Sequence, residues 1–465
     1  MIIGESLPFI RNYVAAINDA IKEEESGKEL TRLQCYWLSF VILGILVTNS
    51  VCWARLARFG VGEYRTEQLS WMFRRAKIIW ELLLRASVLH ILSKYKIKGG
   101  VLVIDDTDRE RSKNTTEIAK VHKIKDKKTS GYINGQNLVF LLLVTEKITV
   151  PVGFSFHEPD PKKTAWRKEE SRLKKAGVAK QYRPKEPEAD KNYPSKKALA
   201  LNLLSDFMRI FPDFIVRAVA VDAYYGMQDF MEEAQRITKQ RQIISQIRKN
   251  QLIVVNNKEI AVEEFFKNYQ GHQEIVSLRG KDKKITYCSG KFKIKSHKKK
   301  YFVIALKYGD EEDYRYLIGQ DMTWRDIDII KAYAFRWLVE VFIQDWKSYE
   351  GWNQLAKQTG FDGSNRGVIL SLLCDHALLL HSEQQCSLEN KQPALTVGSL
   401  REKVMMESLK AFIEGIVMSD DPKAMFMQYS DKIAEIFDLQ NSTKHLRNVD
   451  MQFLQPQHQL LDAHK

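Results

Sequence analysis

The sequence predicts an α/β protein with a helical N-terminal part, a mixed five-stranded sheet with helices, a β-rich insertion and a helical C-terminal region. Three observations support this prediction. Apolar residues recur at helical spacing up to about residue 98. Short continuous apolar runs, typical of buried strands, begin near residue 100. Beyond that point strand-like and helix-like segments alternate. With 465 residues, the chain is long enough for several parts around a full core.

The N-terminal part is predicted to be helical over 8–21, 33–47 and 67–93. The stretch 35–54 has no charged residue and is long enough to span a bilayer. Because polar residues interrupt its second half, we interpret it as a buried helix followed by a turn, and we expect no membrane association. The polar break at 48–50 and the short helix after it, with Arg55 and Arg58, fit a helix-turn-helix or an ordinary helical bundle.

The central part begins with three predicted strands, 101–104, 136–145 and 148–156, the last two joined by a hairpin at Glu146–Lys147. The polar, charge-rich residues 158–197 are expected to form a loop or lid.

A helix capped by Ser195 and ending near Ile210 follows, then strand 214–221, a helix to about Arg236 and strand 243–247. Residues 250–322 interleave strand-like runs with lysines, and 324–347 is predicted to be one long helix. Without the insertion, the order is β-β-β-α-β-α-β-α, which is that of a ribonuclease-H-like core. The predicted boundaries are 1–98 for a helical DNA-binding domain, 99–249 and 323–382 for the two parts of the core, 250–322 for the insertion, and 383–465 for the helical C-terminal region.

Charge and cysteine content narrow the class of partner and compartment. Lys and Arg exceed Asp and Glu by 14, and the pI is near 9.2, which favours a polyanionic partner. The five cysteines are scattered and odd in number, so a disulfide framework is not expected. Together these features favour a reducing cytosol and a polyanionic partner such as nucleic acid.

Three acidic residues occupy positions that the predicted core would bring together. Asp106 and Asp222 each follow a buried strand, and Glu340 lies in the last predicted helix. Carboxylates are the ligands that Mg²⁺ prefers, and Mn²⁺ accepts similar ones. Two such ions can activate an attacking oxygen and stabilise a leaving oxygen in phosphoryl transfer.

The last predicted helix carries a second pattern, Tyr333-x2-Arg336-x3-Glu340-x6-Lys347. On a continuous helix these four residues would share one face. A carboxylate flanked by cations and a phenol suits a phosphodiester. An ordinary salt bridge between Arg336 and Glu340 is the alternative.

These stretches resemble the cut-and-paste DDE transposases of bacterial insertion sequences, in the group with the YREK signature. The matching segments are Ile104–Thr107, Val221–Gly226 and Tyr333–Lys347, and the resemblance covers roughly residues 100–380, including the insertion. It implies that Asp106, Asp222 and Glu340 bind the metal ions. It also implies that Arg336 and Lys347 contact DNA phosphates and that Tyr333 contacts the backbone near the cleaved end.

Two adjacent aspartates end the first predicted strand, and the residues alone do not decide which of them binds metal. Asp105 and Asp106 point to opposite faces of a strand, so only one can join the metal-binding set. The Asp-Thr pairing of the family favours Asp106.

Basic segments are candidate DNA contacts. Between Arg279 and Lys300 there are ten basic residues and one Asp, interleaved with Tyr287 and Phe292. This pattern suits phosphate contacts and base stacking, or a solvated hairpin face. The candidate lysines are Lys291, Lys293, Lys295, Lys298 and Lys299, and a second patch comprises Lys120, Lys123, Lys125, Lys127 and Lys128.

The sequence therefore predicts a transposase that binds terminal inverted repeats, cleaves the element ends and joins the 3′-hydroxyl to target DNA. Acting on two ends implies a homodimer on DNA, in which the helical region from about residue 398 is a candidate for pairing. The alternatives are a related two-metal nuclease without strand transfer and a transposase-derived DNA-binding regulator.

Overall fold

The computed structural model describes residues 6–436, except 112–114, 116, 127–128, 279–280 and 353–358. Its N-terminal part is helical, as predicted, and contains five helices. They are α1 (Pro8–Glu24), α2 (Arg32–Thr48), α3 (Trp53–Phe59), α4 (Thr66–Arg74) and α5 (Trp80–Lys94). The single predicted helix over 67–93 is therefore wrong, because the chain turns between α4 and α5.

Helix α2 forms the apolar centre of this part. Thr31 begins it with a reciprocal capping box to Gln34, and all its residues from Trp37 to Thr48 are buried. Asn49, in the left-handed conformation at φ 52°, ends it. No single described helix is long and apolar enough to cross a membrane, and α2 qualifies only together with α3, at a 91° bend.

The middle of the chain forms a mixed sheet flanked by helices. Its strands and helices up to residue 247 are β1 (Gly99–Glu110), β2 (His122–Lys125), β3 (Tyr132–Val144), β4 (Thr149–His157), α6 (Pro161–Lys175), α7 (Lys196–Ile210), β5 (Ile215–Val221), α8 (Gln228–Ile237) and β6 (Gln242–Ile247). The predicted hairpin at Glu146–Lys147 is confirmed, since it joins β3 and β4. Strand β2 was not predicted.

The five predicted strands lie in the order β4-β3-β1-β5-β6. Strand β1 is antiparallel to β3 and parallel to β5, and β5 is parallel to β6. Strand β5 ends at Val221, which pairs with Ile104 in the middle of β1, so the pairing of these two strands ends there. Residues directly after these two positions are brought together there.

The β-rich segment after β6 continues the same sheet. It contains β7 (Leu252–Val255), β8 (Lys258–Ala261), α9 (Val262–Phe266), β9 (His272–Leu278), β10 (Lys281–Ile294), β11 (Lys300–Tyr308) and β12 (Arg315–Gly319). Strand β12 pairs with β6 in antiparallel register, and the sheet extends through β11 and β10 to β7 and β8. The described strands thus form one hydrogen-bonded surface from β2 to β8.

The remaining described elements are helical. They are α10 (Asp326–Ala334), α11 (Trp337–Tyr349), α12 (Gly360–Leu379), α13 (Ser382–Glu389), α14 (Val397–Val417) and α15 (Pro422–Ile436). The single helix predicted over 324–347 is wrong. Backbone bonds from Arg336 N–H to Tyr333 and from Val339 N–H to Arg336 span three residues, so a tightened turn separates α10 from α11.

Residues 158–197 differ from the predicted loop. Asp160 accepts hydrogen bonds from the N–H groups of Lys162 and Lys163, and Pro161 occupies the first helical position, so a helix begins there. None of the residues of α6 is buried. The segment is thus a solvent-exposed helix followed by a single 3-10 turn at Lys180–Tyr182 and irregular chain.

Helix α12 joins the N-terminal helices to the sheet through a buried polar chain. Tyr13 of α1 hydrogen-bonds Ser87 of α5, which bonds His376 Nδ1, and His376 Nε2 lies 3.0 Å from the carbonyl of Pro151 in β4. Burial lowers the pKa of His376 to about 4, so the ring is neutral and can donate to that carbonyl. The N-terminal helices are thereby fixed to the same body as the sheet.

Candidate active site

Asp105 and Asp106 point to opposite faces near the middle of β1. Asp105 lies opposite Phe140 of β3, whose ring contacts Phe342 and Trp346 of α11. Directly opposed residues of an antiparallel pair share a face, so Asp105 lies on the α11 side. Asp106 lies on the other face, towards the first residue of α7.

Arg336 connects Asp105 to Glu340. Its Nη1 donates to Asp105 Oδ2 at 2.9 Å, and its Nη2 donates to Glu340 Oε1 at 2.5 Å. Both carboxylates therefore approach one guanidinium, although they come from a strand and a helix far apart in sequence. Half of the Glu340 side chain is exposed, whereas that of Asp105 is only 16% exposed.

The electrostatic environment of Asp105 disfavours its charge. Burial raises the pKa of Asp105 to about 6, and the nearby Asp106 and Asp222 act in the same direction. The backbone N–H of Asp106 and the guanidinium of Arg336 oppose this shift. An additional cation close to Asp105 would therefore stabilise the charged form of its carboxyl group.

Asp222 lies beside this group at the end of β5. Its carbonyl accepts from Tyr225 N–H at 2.9 Å and from the Ser245 hydroxyl at 3.1 Å, which fixes the turn after the strand. The charge of Asp222 raises the pKa of both Asp105 and Tyr333. Asp222 therefore belongs to the same electrostatic group as Asp105 and Arg336.

Asp106 has a different set of partners. Lys196 Nζ lies 2.7 Å from Asp106 Oδ2, and Asn137 donates to the same oxygen at 3.1 Å. Burial lowers the pKa of nearby His157 to about 4, and Lys196 acts in the same direction. Sequence reasoning missed Lys196, Asn137 and His157; the Ser195 cap, which fixes where α7 begins, was the one available signal for Lys196.

The structure thus brings Asp105 and Glu340 together at Arg336 on one side of the sheet, and Asp222 follows the end of the neighbouring strand β5. The sequence prediction preferred Asp106, which pairs with Lys196 on the other side. Among the described residues, no group of three His, Cys, Asp or Glu side chains is already gathered as a metal site. The guanidinium of Arg336 lies between two of the carboxylates instead.

Tyr333 and Lys347 flank this group, but not on one continuous helical face. Tyr333 precedes the turn between α10 and α11, and its hydroxyl donates to Gln246 Oε1 at 3.3 Å. Lys347 Nζ donates to the backbone carbonyl of Asp108 at 2.6 Å, which ties the end of α11 to β1. The turn between the two helices is the reason for the difference from the predicted single face.

All five candidate lysines of the basic segment are exposed, on β10 and in the turn before β11. Two of them already have acidic partners: Lys295 lies 2.5 Å from Glu259, and Lys299 lies 2.5 Å from Glu232. Lys291, Lys293 and Lys298 have no ion pair within the described part of the chain. Arg279, at the start of the predicted segment, lies outside the described residues.

The two aromatic residues of this segment do not form an exposed stacking surface. Tyr287 is buried and donates to Glu274, and Phe292 packs against Phe265 and Phe266. The expectation that they stack splayed bases is therefore wrong. At the end of β10, alternation places Phe292 and Ile294 inward while Lys291 and Lys293 face solvent.

The second basic patch is only partly described, since Lys127 and Lys128 lie outside the described residues. Lys123 lies over the exposed ring of Tyr132 at 4.7 Å, and Lys120 over that of Phe361 at 5.0 Å. These contacts combine positive charge with accessible aromatic rings.

Comparison with known proteins gives similarity to solved structures but no match at the sequence level. No protein-family model matches the chain, and no curated protein sequence matches it. The cryo-EM structure of the piggyBac transposase synaptic complex with hairpin DNA aligns with a TM-score of 0.43 and 12% sequence identity. The alignment covers 96% of this chain and 85% of that chain.

Proposed function

We propose that this protein is a DNA transposase with a ribonuclease-H-like core, which cleaves the ends of its element and joins them to target DNA. The observation that carries the proposal is the carboxylate group around Arg336. Asp105 and Asp222 directly follow the last paired residues of the neighbouring parallel strands β1 and β5, and Glu340 of α11 shares Arg336 with Asp105. The strand order β4-β3-β1-β5-β6 and its directions support the same core.

The donor set suits magnesium or manganese. It consists of carboxylate oxygens, the ligands that these hard cations prefer, and burial already makes the charge of Asp105 unfavourable. We propose that Glu340 and Asp222 bind metal together with Asp105, and the sequence-preferred Asp106 is the alternative. Two ions bound there would activate the attacking oxygen and stabilise the leaving oxygen of a phosphodiester.

The cations of the site have a role towards the DNA. Without metal ions or DNA, Arg336 forms ion pairs with Asp105 and Glu340. When metal ions bind these two carboxylates, its guanidinium becomes available to a DNA phosphate. Lys347 and Tyr333 border the same place. The exposed lysines Lys291, Lys293 and Lys298 extend the positive surface along β10.

The decisive experiment uses Glu340→Gln. Because Glu340 is half exposed, this variant is expected to fold and to bind DNA. Cleavage and joining are expected to fall roughly a thousandfold, as when a principal electrostatic stabiliser is removed. The measurement is single-turnover cleavage of labelled duplexes that carry the DNA flanking the gene on each side.

The matched control is Asp345→Asn, on the same helix but near Glu350 and Asp375 instead of Arg336, which is expected to retain activity. Mg²⁺ or Mn²⁺ should support cleavage, and Ca²⁺ should support binding alone. Equal turnover in EDTA, or normal cleavage by Glu340→Gln, would contradict the proposal. Cleavage without joining would indicate a nuclease, and binding without cleavage would indicate a regulator.

A further inference from the structure

The turn that follows Asp222 is held from two sides. Asp222 comes directly after β5, and residues 223–226 form a turn before α8 begins. On one side of this turn lies β6, whose Ser245 hydroxyl donates to the carbonyl of Asp222 at 3.1 Å. On the other side lies the turn between β10 and β11. The β-rich segment therefore contributes to the surroundings of Asp222.

His297 is the residue of the β10–β11 turn that contacts the turn after Asp222. It is buried, with only 2% of its surface exposed. Its Nε2 lies 2.8 Å from the carbonyl oxygen of Gly226, which is also buried and is 71 residues away in sequence. A carbonyl can only accept a hydrogen bond, so Nε2 carries the proton and donates it. His297 thus supplies the donor that this buried carbonyl requires.

Ser296 and Gln251 fix the His297 ring in this orientation. Ser296 Oγ lies 2.7 Å from His297 Nδ1, and Gln251 Nε2 donates to the same Oγ at 2.7 Å. Because Gln251 supplies a proton to the hydroxyl oxygen, the hydroxyl proton itself is directed to Nδ1, which accepts it. Burial lowers the pKa of His297, so the ring is neutral near pH 7 and keeps its one proton on Nε2.

The contact at Gly226 reaches Asp222 because the turn between them is short and closely packed. Tyr225 N–H donates to the carbonyl of Asp222 at 2.9 Å, and Gly226 N–H donates to that of Ala223 at 3.3 Å. A Cβ on Gly226 would come within 2.5 Å of Ser245 Oγ, which belongs to the same hydroxyl that donates to Asp222. The turn therefore has little room to shift, and the position of Asp222 depends on the contacts on both sides.

An ion pair holds the β10–β11 turn to α8 as well. Lys299 Nζ lies 2.5 Å from Glu232 Oε1, which also accepts from Gln228 Nε2 at 3.1 Å. Gln228 is the first residue of α8 and lies two residues after Gly226. This pair is exposed and contributes little to stability. The buried contact of His297 is therefore the one that fixes the two turns against each other.

We propose that His297 is a positioning residue for the metal site, which acts through the backbone of Gly226 on the turn that directs the Asp222 carboxylate. The inference deepens the proposed function and rests on it, since Asp222 is a proposed metal ligand. Residues that orient a metal ligand change metal affinity roughly 10- to 100-fold when they are replaced. We therefore expect replacement of His297 to weaken metal binding and to leave DNA binding unchanged.

The first measurement is Mn²⁺ binding to the full chain without DNA, by electron paramagnetic resonance of the free ion. His297→Leu replaces the ring by an apolar side chain and removes the donor, so the affinity for Mn²⁺ should fall roughly tenfold or more. His297→Gln places an amide N–H close to the position of Nε2 and should stay within about threefold of wild type. His272→Leu, at an exposed histidine of β9, is the matched control and should bind Mn²⁺ as wild type does.

The second measurement is the dependence of DNA cleavage on Mg²⁺. For His297→Leu, the Mg²⁺ concentration at half-maximal cleavage should rise by a factor similar to the loss of Mn²⁺ affinity, while the dissociation constant for DNA in Ca²⁺ stays unchanged. Ser296→Ala, at an exposed position, should raise this concentration about threefold, because the ring loses the hydroxyl that orients it. A loss of stability alone, followed by urea unfolding, would change neither the Mn²⁺ affinity of the folded protein nor its recovery in His297→Gln.

Equal Mn²⁺ affinity in wild type, His297→Leu and Ser296→Ala would overturn the inference, even if all three cleave DNA. An equal loss in His297→Leu and His297→Gln would overturn it as well, because the N–H donor would then have no effect. Ser296→Ala decides the question should His297→Leu not fold. Wild-type protein that neither binds Mn²⁺ nor cleaves DNA would contradict the proposed function itself. Failure of the positioning role and failure of the transposase proposal are therefore distinguishable.

Discussion

The neighbouring residues Asp105 and Asp106 have opposite surroundings, although their chemistry is the same. Asp105 shares Arg336 with Glu340 on the α11 side, and Asp106 binds Lys196 on the α7 side. One strand can direct only one of them towards a given helix. If the proposed function holds, this geometry predicts that Asp105 is the aspartate needed for cleavage.

We expect Asp105→Asn to abolish cleavage and Asp106→Asn to retain a substantial part of it. Both changes keep the side-chain size and remove one negative charge. Asp106→Asn loses its ion pair with Lys196, so its stability should be measured by urea unfolding alongside single-turnover cleavage. The reverse result would return Asp106 to the metal-binding set, as the sequence prediction had it.

The sequence shows where these acidic residues lie along the chain but not the direction of their side chains. Buried apolar runs followed by Asp are visible in the sequence at Asp105, Asp106 and Asp222. The choice between the adjacent aspartates depends on the register of β1 against β3, which is set by contacts between distant residues. Lys196 is ninety residues away in sequence from Asp106, so no local sequence pattern indicates that the two residues form an ion pair.

At the scale of elements, the turn between α10 and α11 is a break that the spacing of apolar residues does not predict. Apolar spacing continues through 324–347, and no proline or glycine interrupts it. The tightened turn at Phe335–Arg336 nevertheless separates α10, which carries Tyr333, from α11, although both turn residues keep helical backbone angles. Because such a local tightening leaves the apolar spacing unchanged, the sequence pattern alone predicts a continuous helix.

The hairpin β10–β11 provides a test of DNA contact. Lys291, Lys293 and Lys298 should each contribute to binding more than Lys295 and Lys299, which already neutralise Glu259 and Glu232. Replacing the first three by Gln should reduce the slope of log affinity against log salt by roughly 0.9 for each lost duplex contact.

The double variant Lys295→Gln/Lys299→Gln is the control and should change that slope less. Fluorescence anisotropy of a labelled duplex over a range of salt concentrations measures both. An unchanged slope in the triple variant would mean that the exposed face of β10 is merely solvated.

At the scale of the whole molecule, two buried acids at the junction of α11 and α12 affect stability. Burial raises the pKa of Glu350 well above its ordinary value and that of Asp375 to about 7. The folded state therefore binds protons that the unfolded state releases between about pH 4 and pH 7. Stability from this pair is present at low pH and is lost as the pH rises through that interval.

We expect Asp375→Asn to be more stable than wild type at pH 8 by a few kcal/mol, at about 1.4 kcal/mol for each unit of the raised pKa. The gain should vanish near pH 4. Urea unfolding at several pH values measures it, with Asp362→Asn, an exposed carboxylate on the same helix, as the unaffected control. A variant less stable than wild type at pH 8 would show that the carboxyl group makes a necessary contact.

The pairing of β12 with β6 has a consequence for how the protein could have acquired its inserted segment. Strand β6 is an interior strand here, with β5 on one side and β12 on the other. Removing residues 250–322 would uncover one side of β6, whose Ile244 to Ile247 are largely buried, and would leave its backbone groups open to another chain. A trimmed version would therefore tend to aggregate through that edge, so shortening this protein requires a new cover for β6 as well as a new connection.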